Sequence, residues 1–341
     1  MNETKPPRFY RFGSIEQFKS TVKAVRDHSN FHATPLPTLT FTGSVKLHGT
    51  NAAIVYHARN GAITCQSRER IITPESDNAG FAQFADEHKD ELREWLTPLS
   101  FTFLGDAIAV FGEWAGPKVQ PGVAVSDLSK KQFFVFDIRV LTGDDSVKLT
   151  PAQIKQIVAD AALPDVHSIY QFPTWSVAVD FNQPEAVQNR LVELTMAVEA
   201  ECPVAKTFGI SGIGEGIVWR CDDNQGIQGL TFKVKGAKHS TSKVRVLNEI
   251  AAVDVARLES VNQFLDQVVS ANRLSQGLAK LEELGLPLDA TSTGAYIKWV
   301  AGDVKAEEAL TIEASGFAIG EILYRTSQRA KAHYLTVLTS A

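Results

Sequence analysis

The sequence predicts an α+β body to about residue 236, followed by an all-helical tail. Three observations predict it. The chain has 341 residues, beyond the size at which one hydrophobic core stops growing. Up to residue 236, short β-branched runs broken by Gly and Asn are interleaved with helical stretches. From about Lys243 the apolar period becomes that of a helix and stays so.

Taken in order, Ser14-Ile-Glu-Gln17 reads as a capping box opening a helix to about Asp27. Pro35 and Pro37 mark a connector. Strands are expected at 39–46, 52–57 and 62–67, the last two joined by a hairpin turn at Arg59-Asn60-Gly61. A helix is expected over 79–95, then strands at 107–114 and 132–140. Thr150 as cap and Pro151 in the first turn start another helix. Residues 183–201 place Val187, Leu191, Leu194 and Val198 on one helical face. Strands return at 216–221 and 229–235. Val246, Ile250, Val253, Leu258, Val261, Leu265 and Val268 form an apolar stripe. Two or three further helices follow, with breaks between Gly285 and Pro287 and near Gly316. There is no internal repeat and no low-complexity tract.

Hydrophobic residues make up 44% and charged residues 21%, an ordinary globular composition. No stretch is apolar enough to span a bilayer, and the start, Met-Asn-Glu-Thr-Lys-Pro-Pro, lacks the apolar run of a signal peptide. Three cysteines, Cys65, Cys202 and Cys221, form no CxxC pair, which speaks against a zinc knuckle or a disulfide framework. A cytoplasmic protein without a membrane partner is expected, monomeric by default. The net charge of −5, taken alone, argues against a nucleic-acid partner, but distribution matters more than the sum. No acidic residue lies between Asp223 and Glu249, while Lys233, Lys235, Lys238, His239, Lys243 and Arg245 do. This stripe is either a nucleic-acid track or a solvated loop face.

The chemistry centres on Lys46-Leu-His48-Gly49-Thr50-Asn51, at the end of one expected strand and just before the next. A glycine turn lets a phosphate approach the backbone closely. A lysine amine becomes a covalent nucleophile when neighbouring positive charge or desolvation lowers its pKa. Lys233, Lys235 and Arg68 could supply that charge. Most lysines are only surface residues, so this hexapeptide needs company.

The company is an ordered set of blocks. Lys46-x-His48-Gly49-x-Asn51 resembles motif I of the covalent nucleotidyltransferases, the superfamily of DNA ligases, RNA ligases and mRNA capping enzymes. Ser67-Arg68 resembles the short motif after the first hairpin. Phe111-Gly112-Glu113-Trp114 resembles motif III, and Phe133-Phe134-Val135-Phe136-Asp137-Ile138 motif IIIa. Glu215-Gly216-Ile217-Val218 resembles motif IV, and Lys233-Val234-Lys235 motif V. Each alone is weak; their order is the signal. DNA ligases and capping enzymes usually carry Asp and Arg where this chain has His48 and Asn51. The variant, with the run from Phe111 to Pro117, is similar to the phage double-stranded-RNA ligase and the RNA-editing ligases.

The resemblance implies an ATP-grasp-like ligase fold: a nucleotidyltransferase domain of antiparallel sheets flanked by helices, residues 1–238, plus an all-helical RNA-engaging domain, residues 239–341. It implies an ATP-dependent RNA ligase acting in RNA repair. It would join 3′-hydroxyl and 5′-phosphate RNA ends through AMP held on Lys46, with Mg²⁺ (or Mn²⁺) as metal. Lys46 would attack the α-phosphate, for which its pKa should be lowered. Lys233 and Lys235 would stabilise charge on that phosphate. Glu113 would bind ribose or metal-bound water, and Glu215 the metal. Phe136 would stack on adenine and Asp137 would orient other site residues. Arg68 would contact AMP or the RNA 5′-phosphate, with Arg70 as competitor. His48 would act on pyrophosphate or on the geometry of the first step. Gly49 and Asn51 would meet the nucleotide or the nick, and Arg220 would hold a lesser nucleotide role. One departure stands out: relatives often carry an acidic residue before the motif I lysine, where this chain has Val45. The alternatives are a DNA ligase, a capping-type enzyme, or a nucleotide-binding homologue without catalysis.

Overall fold

The computed structural model describes residues 8–222, 226–227, 230–236 and 254–340. The chain divides into two compact units, Met1–Gly236 and Ala237–Ala341. The first is α+β, as the alternating runs predict, and contains two sheets.

A two-residue strand β1 (Glu16–Gln17) leads directly into helix α1 (Phe18–His32). The expected capping box at Ser14 does not form. Ser14 Oγ donates to Glu16 Oε1 at 2.8 Å, and Glu16 and Gln17 are extended because they pair in parallel with Phe232 and Lys233. Strands β2 (Thr38–Lys46), β3 (Thr50–His57), β4 (Ala62–Ser67) and β5 (Ile71–Ile72) follow. The β3–β4 hairpin turns where Asn60 and Gly61 predict it; Gly61 has φ +63°, and Asn60 Oδ1 accepts from the Ala62 amide. The helix expected over 79–95 is two helices, α2 (Phe81–Glu87) and α3 (Lys89–Phe103), separated at His88. Strands β6 (Ala107–Ala115), β7 (Gln132–Thr142) and β8 (Asp145–Lys148) precede helix α4 (Pro151–Ala161), whose cap Thr150 forms a full capping box with Gln153. Strands β9 (Val166–Ser168) and β10 (Thr174–Asp180), helices α5 (Gln188–Ala200) and α6 (Pro203–Thr207), and strands β11 (Gly216–Arg220) and β12 (Thr231–Lys235) complete the unit.

One sheet has the order β1-β12-β11-β2-β10, antiparallel except at β1. The other runs β5-β4-β3-β6-β7-β8, with β9 parallel beside the first half of β7. The apolar interior includes Phe41, Trp219 and Phe232 of the first sheet and Phe133, Phe134 and Trp114 of the second. Val45 is part of it. It pairs with Ile217 and is 3% exposed, so a carboxylate at this position would sit in apolar surroundings. All three cysteines are buried, and burial, the leading influence, pushes the Cys65 thiol up to about 12.

The second unit contains helices α7 (Asp254–Val268), α8 (Ala271–Glu283), α9 (Thr293–Ala314) and α10 (Ile319–Ser340). Gly285 and Gly316, both at positive φ, end α8 and α9 where the sequence predicts breaks. Val261, Leu265 and Val268 of the expected stripe are buried against Val304, Ile312 and Ile322. Val246, Ile250 and Val253 lie outside the described residues, as do Lys238, His239, Lys243 and Arg245 of the basic stripe. Arg273 is fully buried and is held by Asp303 at 2.7 Å, Glu307 at 3.3 Å and Glu308 at 3.4 Å. Among the described residues no helix is long and apolar enough to cross a membrane.

Candidate active site

Three adjacent strands set the site. In register, Lys46 of β2 pairs with Gly216 of β11, which pairs with Lys235 of β12. Cross-strand partners share a face, so Lys46 and Lys235 point the same way. Period two brings Lys233 to that face, while Val234 pairs with the buried Ile217 opposite. Spacing alone left the choice of face open; the register settles it.

Glu215 enters just before β11 and is 2% exposed. Its carboxylate accepts from Lys46 Nζ at 2.6 Å, and lies 3.4 Å from His48 Nδ1 and 3.4 Å from Lys235 Nζ. Gly216 is needed beside it: φ is +152°, and a Cβ there would fall 2.2 Å from the Val234 carbonyl oxygen. Burial alone would raise the Glu215 carboxyl, but Lys46, Lys235 and the bond from His48 hold it well below its ordinary value.

Lys46 differs from the sequence expectation. Burial by itself lowers its amine, yet Glu215 and then Glu113 outweigh burial, and the pKa is raised. Arg68 acts in the expected direction, as the weakest of these influences. Two carboxylates, one of them hydrogen-bonded to the amine, outweigh the neighbouring cation.

The second sheet contributes Glu113. Its Oε1 accepts from the Gly49 amide at 2.9 Å, tying the glycine turn to β6. Burial, helped by Glu215, raises the Glu113 carboxyl, and Lys46 and the Gly49 amide offset only part of this. Asn51 pairs with Glu113 across β3 and β6. The reason for glycine at position 49 is steric: a Cβ would lie 2.4 Å from the Trp114 carbonyl oxygen and 3.0 Å from Glu113 Cγ. Gly49→Ala is therefore expected to displace the turn from Glu113. Displacement on the order of 1 Å in a site costs roughly 100-fold in rate, so the labelling by α-labelled ATP that the motif I resemblance implies should slow by about that factor. A wild-type rate in Gly49→Ala would show that the turn is free to shift.

The two candidate arginines separate. Arg70 donates to the Ser76 carbonyl and hydroxyl, both at 2.8 Å, and to the Asp77 carbonyl at 3.1 Å, so it clamps a loop. Arg68 follows the Ser67–Ala52 pair directly, just past the end of β4, and its charge weighs on Lys46.

Phe136 and Asp137 are fixed from several sides. The Phe136 carbonyl accepts from the Tyr170 hydroxyl at 2.9 Å. Asp137, 5% exposed, is bonded by Arg139 Nε at 2.7 Å and lies 3.4 Å from an Arg220 nitrogen. Arg220 also donates to the Leu149 carbonyl at 2.5 Å and pairs with Asp222 at 2.8 Å. It thus spans from β11 to β7 and ties the sheets together, apart from the group around Lys46. Sequence reasoning missed Tyr170. Burial, above all, pushes its phenol up to about 12, so it stays a donor. Its one local signal was Ser168-x-x-Gln171, a capping box that forms around a single 3₁₀ turn.

Among the described residues no three His, Cys, Asp or Glu side chains converge as a metal-ligand set. Glu113 and Glu215 are the paired carboxylates of the site.

A buried carboxylate ringed by two lysines and a histidine, with a second carboxylate from the facing sheet, defines a site for phosphoryl or nucleotidyl chemistry. The family model for RNA ligase matches residues 39–235, more than half of the chain and every residue of this site. The chain belongs to the RNA ligase family. No curated protein sequence matches it. Among solved structures it is similar to Naegleria gruberi RNA ligase. A variant of that protein with ATP and Mn gives 16% identity over 68% of this chain and 58% of that one, at a TM-score of 0.46. Another variant with ATP and Mn gives 17%, 67%, 57% and 0.45. The same ligase with PPi gives 18%, 67%, 56% and 0.43. The chain thus spans less than two thirds of these proteins, and so distant a likeness carries no residue-level argument.

Proposed function

We propose that this protein is an ATP-dependent RNA ligase that joins 3′-hydroxyl and 5′-phosphate RNA ends through AMP carried on Lys46. The observation behind the reading is that Lys46, His48, Glu215, Lys235 and Glu113 converge from two sheets within the segment that matches the RNA ligase family. The Lys46 ammonium loses its proton to solvent, and the free amine attacks the α-phosphorus of ATP. A P–N bond forms, the bond to the β-phosphate oxygen breaks, and pyrophosphate leaves. Lys233 and Lys235, on the same face, meet the charge that builds on the α-phosphate oxygens. AMP then passes to the RNA 5′-phosphate, and the 3′-hydroxyl displaces it.

Two carboxylates, with no third ligand converging on them among the described residues, suit a hard cation that keeps its water shell and takes phosphate oxygens, as Mg²⁺ or Mn²⁺ does. Held at Glu215 and Glu113, such a cation would neutralise triphosphate charge and draw the Glu215 carboxylate away from Lys46, easing loss of the amine proton.

Within the family, His48 and Asn51 favour the branch of the phage double-stranded-RNA ligase and the RNA-editing ligases, and therefore nicks in duplex RNA. The helical unit would engage the RNA. Nicked duplexes of RNA and of DNA, each with a 3′-hydroxyl and a 5′-phosphate, test this with ATP and Mg²⁺. The RNA nick is expected to be sealed, with an adenylylated strand appearing first. Preferential sealing of the DNA nick would make the protein a DNA ligase. Labelling of the protein without sealing of either would point to capping-type chemistry.

A further inference from the structure

The first described residues belong to neither sheet's main body, yet they contact both. Arg8 donates to the Gly143 carbonyl at 3.0 Å and pairs with Asp144 at 2.9 Å, in the β7–β8 turn. The Tyr10 amide donates to Gln66 Oε1 at 2.8 Å, and Gln66 Nε2 donates back to the Tyr10 carbonyl at 3.1 Å. Gln66 is fully buried on β4, so this double bond is a fixed anchor. Phe12 then packs 5.3 Å from Phe111 and 5.0 Å from Phe136, with the Arg139 guanidinium 5.0 Å above its ring. A few residues on, Glu16 and Gln17 become β1, alongside Phe232 and Lys233.

One short segment thus touches the ring of Phe136 at one end and the strand of Lys233 at the other. Phe136 is only half-buried, and the Tyr170 bond fixes its backbone, not its ring. Among the described aromatic rings, Phe12 is the one packed against it.

We propose that Phe12 is a positioning residue for the nucleotide base. It holds the Phe136 ring in the orientation that meets the base, and the stretch from Phe12 to Gln17 sets the separation between that ring and Lys233. The inference rests on the adenylylation reading of this site, in which Phe136 meets adenine and Lys233 the α-phosphate. Without Phe12, the Phe136 ring keeps its packing on the sheet but loses its aromatic partner, and its orientation must be set when the base binds. An aromatic pair of this kind is worth about a tenfold change in binding. The lysine cluster is untouched, so the cost falls on nucleotide affinity and on base choice, not on the maximal rate.

The test is the rate of Lys46 labelling against nucleotide concentration for wild type, Phe12→Ala, Phe12→Leu and Phe12→Tyr, with α-labelled ATP and, in parallel, GTP. Melting temperatures are taken for each. Phe12→Ala and Phe12→Leu should raise the half-saturating ATP concentration about tenfold, leave the rate at saturation within about twofold, and narrow the preference for ATP over GTP. Phe12→Tyr, which keeps the ring, should restore all three. Phe12→Leu keeps the apolar volume, so it stands in if Phe12→Ala does not fold. Wild-type saturation and base preference in Phe12→Leu would overturn the proposal, because apolar packing would then suffice. An unlabelled wild type would instead remove the ligase reading, and this inference with it. A labelled wild type with unaffected Phe12 variants would remove the inference alone.

Discussion

Wild-type protein incubated with α-labelled ATP and Mg²⁺ is expected to become labelled, the label to be lost in acid, and Lys46→Ala to stay unlabelled. The expected drop is to background, at least about a thousandfold, as for loss of a covalent nucleophile. Lys46→Arg should be equally inert, because a guanidinium keeps its proton. The substitution is not expected to unfold the chain: the Lys46 side chain is 20% exposed, and Glu215 keeps His48 and Lys235 as partners. A labelled Lys46→Ala protein would move the nucleophile to another residue and sink the reading above.

Glu215→Gln is expected to damage both activity and stability. The carboxylate is the common partner of Lys46, His48 and Lys235. An amide of the same shape leaves two partly buried ammonium groups short of a counter-charge, and removing one partner of a buried pair costs roughly 3–5 kcal/mol. The pH dependence has a definite sign. Folding holds this carboxyl well below its ordinary 4.5, so its contribution is complete above that value and is lost as pH falls through the depressed pKa. In the protein without nucleotide or metal, the melting-temperature gap between wild type and Glu215→Gln should be widest near neutrality and close on acidification. Labelling by ATP should fall by on the order of 100-fold or more, since both the lysine's partner and a proposed metal ligand are changed. A gap that is constant down to strongly acid pH would show that the charge of Glu215 is not what stabilises the cluster.

Where local pattern and burial agree, the strands were legible. Residues 62–67 are β4 to the residue, and β2, β3, β6 and β7 differ from expectation only at their ends. Strands created by a distant partner were not. Thr174–Asp180 has few buried residues of its own and is a strand because it pairs along β2 from Ser44 back to Thr38. Asp145–Lys148 is wholly exposed and is ordered by pairing with β7. Glu16–Gln17 reads locally as a helix start, and a parallel partner at Phe232–Lys233 overrides it. The site divides in the same way. The order of the motifs located Lys46, Glu113, Glu215 and Lys235, but not the charge balance among them. That balance depends on a contact across 169 positions of sequence, which turned the Lys46 shift upward. Arg68 was the candidate with Arg70 as its competitor, and the loop at Ser76 and Asp77 is what takes Arg70. Phe12 carried no motif and Tyr170 only the capping signal around it, because their place beside Phe136 exists only in the fold.

The burial of all three cysteines has a practical side. Thiol reagents act on the thiolate, and a thiol held at about 12 offers almost none at neutral pH. The buried thiols are thus slow toward maleimide dyes, Cys65 above all. One cysteine introduced at an exposed position of the helical unit, such as Tyr324 at 66% exposure, would take a fluorophore selectively. The surroundings of that unit, with and without added nucleotide or RNA, could then be read by fluorescence without first replacing the buried thiols.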